Sequence, residues 1–219
     1  MADDVQFEGV QHHYMRGLCF DSLWSYQTRS RSGRAVCSYL DLGADAYPWS
    51  QEDDPEGAGW CVRCCASVLS QRLVSLTHMQ NVAIPTGEPA ILVSVLHQLL
   101  PKCEIDVRHT IDKTAMAEIL NVIGSGGGVL ARMERQHQLR QILPYWVWIV
   151  GVETKPVPLC LSGMQTQALL MVGRELSPPW TSGYGAKARL VGIGEWMIRS
   201  VDGQAWSGAF SSMICLRPR

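Results

Sequence analysis

The stretch from Tyr145 to Val152 limits the folds open to this chain more than any other. Its sequence is Tyr-Trp-Val-Trp-Ile-Val-Gly-Val, without a single charged residue. β-Branched and aromatic side chains favour strands, and a strand that is apolar on both sides needs a covering layer on each face. We therefore predict a central strand at 145–152 that is buried on both faces. A chain of 219 residues, 47% of them hydrophobic, can supply both layers.

Other segments carry weaker patterns, some typical of helices and some typical of strands. Apolar residues at helical spacing predict helices at 60–77, 90–100 and 112–123. Alternating or β-branched stretches predict strands at 103–109, 129–133, 168–172 and 211–216. Because the helices come first and the mostly antiparallel strands follow, we predict an α+β fold. We expect residues 1–58 to form an N-terminal arm and loop and residues 59–219 to form the main domain, with 1–219 folding as one compact unit.

Composition excludes several classes of function. A formal net charge of -1 supplies no basic field to attract phosphates, so we expect no nucleic-acid partner. No apolar run approaches the roughly 18 residues that a membrane span needs. The start, Met-Ala-Asp-Asp-Val, lacks the basic and apolar regions of a signal peptide. We therefore expect a cytoplasmic protein without a membrane partner.

Eight cysteines are present, and most are expected to be reduced and buried. Cys61 differs because it follows Gly59-Trp60 in the first turn of a predicted helix. Unpaired helix amides and the positive end of the helix dipole favour a thiolate there, so Cys61 is a candidate nucleophile. Trp60-Cys61-Val-Arg-Cys64 also matches the Trp-Cys-x-x-Cys of thioredoxin-type proteins. A dithiol oxidoreductase using Cys61 and Cys64 is therefore an alternative.

Metal and cofactor chemistry has no support in the sequence. A second Cys-x-x-Cys pair or a spaced histidine pair is missing, so we predict no metal site and no cofactor. Aromatic residues offer a different kind of site. Trp180 and Tyr184 lie in a loop rich in proline and glycine, and with Trp60 they are candidates for the wall of a binding cleft.

The order of these segments resembles that of the papain-like cysteine peptidases. The resemblance is to the bacterial branches that include bacteriocin-leader peptidases and plant-pathogen effector proteases. It is carried by Gly59-Trp60-Cys61, by the glycine-rich turn and strand within 119–133, and by 145–152. The family form of the last element is His-x-Val-x-Ile-x-Gly-Val. The resemblance implies a papain-like α+β fold, in which the helix bearing Cys61 packs on a mostly antiparallel sheet.

The resemblance also implies a catalytic machinery that this chain lacks in part. Tyr145 stands where the family has its general-base histidine, and a phenol that titrates near pH 10 cannot shuttle protons as imidazole does. We therefore expect a catalytically degenerate domain that binds a peptide or protein partner at a cleft containing Tyr145, or serves as a subunit of a larger assembly. The alternative is an active thiol peptidase or amidase with Cys61 as nucleophile, His137 as base and Gln51 as oxyanion donor.

Overall fold

A computed structural model gives the architecture of the chain. It describes residues 11–14, 54, 56–70, 74, 87–109, 111, 113–136, 144–156, 164–173, 185–191, 195–200 and 205–219. The helices in these ranges are α1 (Ala58–Ser70), α2 (Pro89–Leu99) and α3 (Lys113–Gly124). The strands are β1 (Gln11–Tyr14), β2 (Cys103–Arg108), β3 (Gly128–Gln136), β4 (Tyr145–Pro156), β5 (Met164–Val172), β6 (Gly185–Leu190), β7 (Trp196–Ser200) and β8 (Ala205–Pro218).

Six of these strands close into an antiparallel barrel. Their order is β4, β3, β8, β7, β6 and β5, and β5 pairs back onto β4. The two remaining strands extend the wall beyond the ring. Strand β1 pairs with β4 past the end of its pairing with β3, and β2 pairs with the last part of β8. Within the described ranges, no helix is long and apolar enough to cross a membrane.

The predicted α+β, papain-like arrangement is therefore wrong. The sheet is a closed ring instead of an open layer with helices stacked against it. The error arose at β6 and β7, which the sequence analysis did not predict and which join β5 to β8. β6 has the sequence Gly-Ala-Lys-Ala-Arg-Leu, whose small and charged residues carry little strand preference. Without these two strands, the remaining ones cannot close.

The prediction of a doubly covered strand at 145–152 is confirmed, because every residue from Tyr145 to Val152 is buried. Alternate side chains of β4 enter two separate cores. Val147 and Ile149 join the barrel interior, where α3 contributes Ile119. On the outer face, the buried barrel residues that pack with α1 and α2 are Trp146, Trp148, Val150, Leu130, Leu170, Ile214 and Leu216. The barrel wall thus separates a core shared with α3 from a core shared with the other two helices.

Trp146 attaches the outer helices to the barrel through three hydrogen bonds. Its backbone N–H donates to the carbonyl of Glu56 at 2.7 Å, and its carbonyl accepts from Cys61 Sγ at 3.3 Å. Its indole Nε1 donates to the carbonyl of Gly87 at 2.9 Å. β5 pairs with β4 only from Trp148 onward. Since the N–H and C=O of one strand residue point to the same edge, the start of α1 occupies the place of a strand partner for Trp146.

Gly87 lies in the tightest part of this attachment. A Cβ atom at this position would lie 2.0 Å from Glu56 Oε2 and 2.8 Å from Trp146 Nε1. The Glu56 carboxylate and the Trp146 indole cannot easily move away, because the carboxylate binds Arg132 and the indole binds the Gly87 carbonyl. The position therefore requires glycine for space.

We expect Gly87→Ala to lower the free energy of unfolding by roughly 2–3 kcal/mol, because the added methyl group overpacks a site that cannot relax. Gly124→Ala is the matched control, since a Cβ there meets nothing within 4 Å. The control should be neutral or stabilising by up to about 1 kcal/mol, because alanine is the better helix former. Denaturant unfolding of both variants measures the difference, and equal stabilities would contradict the packing described.

Candidate functional site

The start of α1 is closed by a carboxylate from the chain itself. Asp54 accepts from the backbone N–H of Gly59 through Oδ1 and from that of Trp60 through Oδ2, both at 3.0 Å. Its own carbonyl accepts from Gly57 N–H at 3.1 Å, and Gly57 has a φ of 66°, which suits glycine. Asp54 therefore caps the helix and takes up amides that a substrate oxyanion or a thiolate would otherwise use.

Cys61 follows directly and is fully buried, with 0% exposure. Its Sγ donates a hydrogen bond to the Trp146 carbonyl, which requires the protonated thiol. Burial raises the pKa of Cys61 well above its ordinary value, and electrostatic coupling to Cys64, Asp54 and Cys65 adds to the effect. Desolvation thus outweighs the field of the helix start. The helix start was expected to lower the pKa of Cys61, but the pKa is raised, and the thiol is neutral at physiological pH.

The neighbouring thiols are buried too. Cys64 and Cys65 are free, and Cys61 forms no disulfide with Cys64. Burial raises the pKa of Cys64 to about 12, although the guanidinium of Arg63 opposes the shift. A dithiol that exchanges disulfides needs an accessible thiolate. The oxidoreductase alternative therefore gains no support from this geometry and stays a prediction.

Two other predicted site residues, Tyr145 and Trp60, lie in the described part of the chain. Tyr145 is 5% exposed and belongs to the barrel interior, whereas Cys61 belongs to the outer core with α1 and α2. Trp60 is also 5% exposed and packs in the outer core, so in this structure it does not line an open cleft. The other predicted site residues lie outside the described residues: Gln51, His137, Trp180 and Tyr184.

A polar cluster that the sequence analysis missed lies beside the helix start. The Arg132 guanidinium binds the Glu56 carboxylate through Nε at 3.1 Å and Nη2 at 3.0 Å. Asp54-Pro55-Glu56-Gly57 has the residue order of a β-turn, with Asp first, Pro second and Gly fourth, and this signal pointed to the cap. No comparable signal pairs Glu56 with Arg132, because they are far apart in sequence.

Metal binding finds no structural basis in the described ranges, where no group of three or more potential ligand side chains is brought together. Comparison with known proteins also leaves the function open, since no protein-family model and no curated protein matches the chain.

The first prediction from this site concerns alkylation. In the folded protein, iodoacetamide at pH 7 to 8 should leave Cys61, Cys64 and Cys65 unmodified, because neutral buried thiols are poor nucleophiles. Unfolding in guanidinium chloride should expose all three. Peptide mapping by mass spectrometry measures the modification, with Cys61→Ala as the control for assignment. Rapid modification of Cys61 in the native state would show that the thiol is open and ionised.

A second prediction concerns alkaline pH. Burial raises the pKa of Cys64 and of Cys215 to about 12, whereas a thiol in the unfolded chain titrates near pH 8.5. A thiol whose pKa is raised by folding makes its full contribution to stability below its unfolded-state pKa. This contribution is lost as the pH rises from the unfolded-state pKa to the folded-state pKa. Each thiol should therefore lower stability by about 1.4 kcal/mol per pH unit above roughly pH 8.5.

Denaturant unfolding between pH 8 and 10.5 tests this sign. Cys215→Ala should make the decline with pH shallower by about one proton, even if the substitution lowers the baseline stability. The comparison of slopes removes the contribution of other titrating groups. A variant with the wild-type slope would mean that Cys215 is not held neutral by the fold.

Proposed function

We propose that this chain is a binding protein for a peptide or protein partner and does not use Cys61 as a nucleophile. The statement that Cys61 is not a nucleophile rests on the state of this residue. Cys61 is fully buried, protonated and hydrogen-bonded to the Trp146 carbonyl. Thiol catalysis would require Cys61 to lose that bond, to become exposed and to ionise beside the Asp54 carboxylate. These changes oppose the packing that joins α1 to the barrel.

The resemblance to papain-like peptidases enters this proposal in a restricted form. It concerns the Gly59-Trp60-Cys61 element and the strand that begins at Tyr145, and it does not extend to the α+β arrangement. The proposal treats the chain as a degenerate relative in which the start of the helix has become a structural joint. Supporting this view, the helix start and the first residues of β4 are joined directly by hydrogen bonds.

The statement that the chain binds a peptide or protein partner rests on the packing of its cores and on its charges. Both cores are built from side chains of the chain itself, and several of the described charges form ion pairs, among them Arg132–Glu56 and Arg217–Asp106. A chain with a net charge of -1 has no overall field for a polyanion. Protein surfaces of this mixed character suit a protein partner. The active-enzyme alternative depends on His137 and stays a prediction.

Two measurements test the proposal. Wild type and Cys61→Ala should hydrolyse a panel of fluorogenic peptide and amide substrates at the same background rate, because no thiolate is present to attack. Lysine-directed cross-linking in the source cells, followed by mass spectrometry, should give a reproducible partner. If wild type hydrolyses a substrate and Cys61→Ala does not, Cys61 is a nucleophile and the non-catalytic role is wrong. If the chain cross-links to no partner, the proposed binding function is wrong.

A further inference from the structure

Strand β2 has one edge that no described strand covers. β2 pairs with β8 over its whole length, from Cys103 opposite Pro218 to Arg108 opposite Met213. Within the described ranges it has no second strand partner. The backbone N–H and C=O groups of alternate β2 residues therefore point away from β8, with no strand there to receive them.

The apolar side chains of β2 show that this edge is accessible. Ile105 and Val107 pack against the outer core but are only partly buried. Their register partners on β8, Leu216 and Ile214, face the same core and have 0% exposure. β8 has a strand on each side at these positions, whereas β2 has one on a single side. The remaining exposure of the β2 side chains therefore lies on the side away from β8.

The opposite face of β2 is charged. Glu104, Asp106 and Arg108 are all exposed. Asp106 forms an ion pair with Arg217, and Arg108 forms one with Glu118 of α3. Among the residues that the structure describes, Glu104 has no ion-pair partner. A strand added to this edge would therefore meet a free carboxylate near one end and, near the other, a guanidinium with donors left over.

The sequence of β2 is complementary to itself in one antiparallel register. When two copies pair so that Asp106 faces Asp106, Glu104 faces Arg108 and Ile105 faces Val107, each twice across the two-fold axis. Opposite charges then meet on one face, and β-branched apolar side chains meet on the other. The two Asp106 carboxylates approach each other, but each is already paired with Arg217 of its own copy.

The neighbouring registers fit less well. Centring the pair on Ile105 would place Glu104 opposite Asp106, so that like charges face each other. Centring it on Val107 would place Ile105 opposite His109, which lies beyond the end of the strand. The charges of β2 therefore select one pairing, while they oppose unspecific association at an open edge.

We propose that two copies of this chain associate by pairing their β2 strands antiparallel about Asp106, which joins the sheets of the two copies. The inference goes beyond the proposed function, because the occupant of this edge is a second copy of the chain. One strand of six residues from each copy buries little surface, so the dimer is weak and forms at high protein concentration.

Sedimentation of the full chain tests the association. The apparent mass should rise from that of one chain towards that of two as the concentration increases from about 10 µM to about 1 mM, the range expected for a small interface. Over the same range, NMR should show slower hydrogen exchange for the amides of residues 104–108 that point away from β8. A chain that stays monomeric throughout would overturn the proposal, and so would a dimer whose β2 amides exchange at the monomer rate.

Charge exchange tests the register. Glu104→Arg and Arg108→Glu should each raise the dissociation constant of the dimer by about tenfold or more, because like charges then face each other twice. An equal mixture of the two variants should associate as tightly as wild type, since unlike charges face each other again in the mixed dimer. Glu195→Arg makes the same charge change at an exposed position beside β7 and should dimerise as wild type does.

Circular dichroism of each variant shows whether it is folded. Glu104→Arg carries the test alone if Arg108→Glu unfolds the chain through the lost contact with Glu118. A folded Glu104→Arg that dimerises as wild type does would overturn the proposal. Two folded variants that remain monomeric when mixed would do the same.

Discussion

The structure depends on how the first residues of β4 are joined to the turn before α1. Glu56 accepts from the backbone of Trp146 and binds Arg132 through its carboxylate, and these two strand residues are directly opposite in register. One residue of a turn therefore contacts both β3 and β4 at the place where β5 does not reach. The carbonyl of Trp146 and its indole then bind Cys61 and Gly87, so both outer helices are positioned from the same point.

This joint explains why a sequence element typical of a nucleophile has a different role here. A helix start stabilises a thiolate only if its amides stay free and the thiol stays near water. Asp54 occupies the amides, and the closed contact with β4 excludes water from Cys61. The features that suggested reactivity in the sequence are the ones that hold the helix to the barrel. The Gly59-Trp60-Cys61 motif alone does not determine the reactivity of Cys61, because burial and the Asp54 carboxylate set the protonation state of the thiol.

Sequence patterns predicted the strongly apolar elements and failed where the pattern was weak. The strand at 145–152 and the helices α1, α2 and α3 were found because their hydrophobic periodicity is pronounced. β6 and β7 were missed, and with them the closure of the sheet, which depends on pairings between distant residues. For the site, the position of Cys61 at the helix start was predictable. Its neutral state was not, because that state results from tertiary burial and from a carboxylate five to six residues upstream of the amides it binds.

β8 pairs with β2, β3 and β7, so the strand latest in the described chain joins as many strands as β4, which pairs with β1, β3 and β5. During synthesis, β3 and β4 can pair as soon as both have emerged, but the ring has no way to close until β8 is present. The earlier strands must therefore wait with an open edge, and such edges are where chains pair wrongly with one another. The closed barrel therefore has a continuous wall only after β8 has paired, and until then β3 and β7 each keep one edge without this partner.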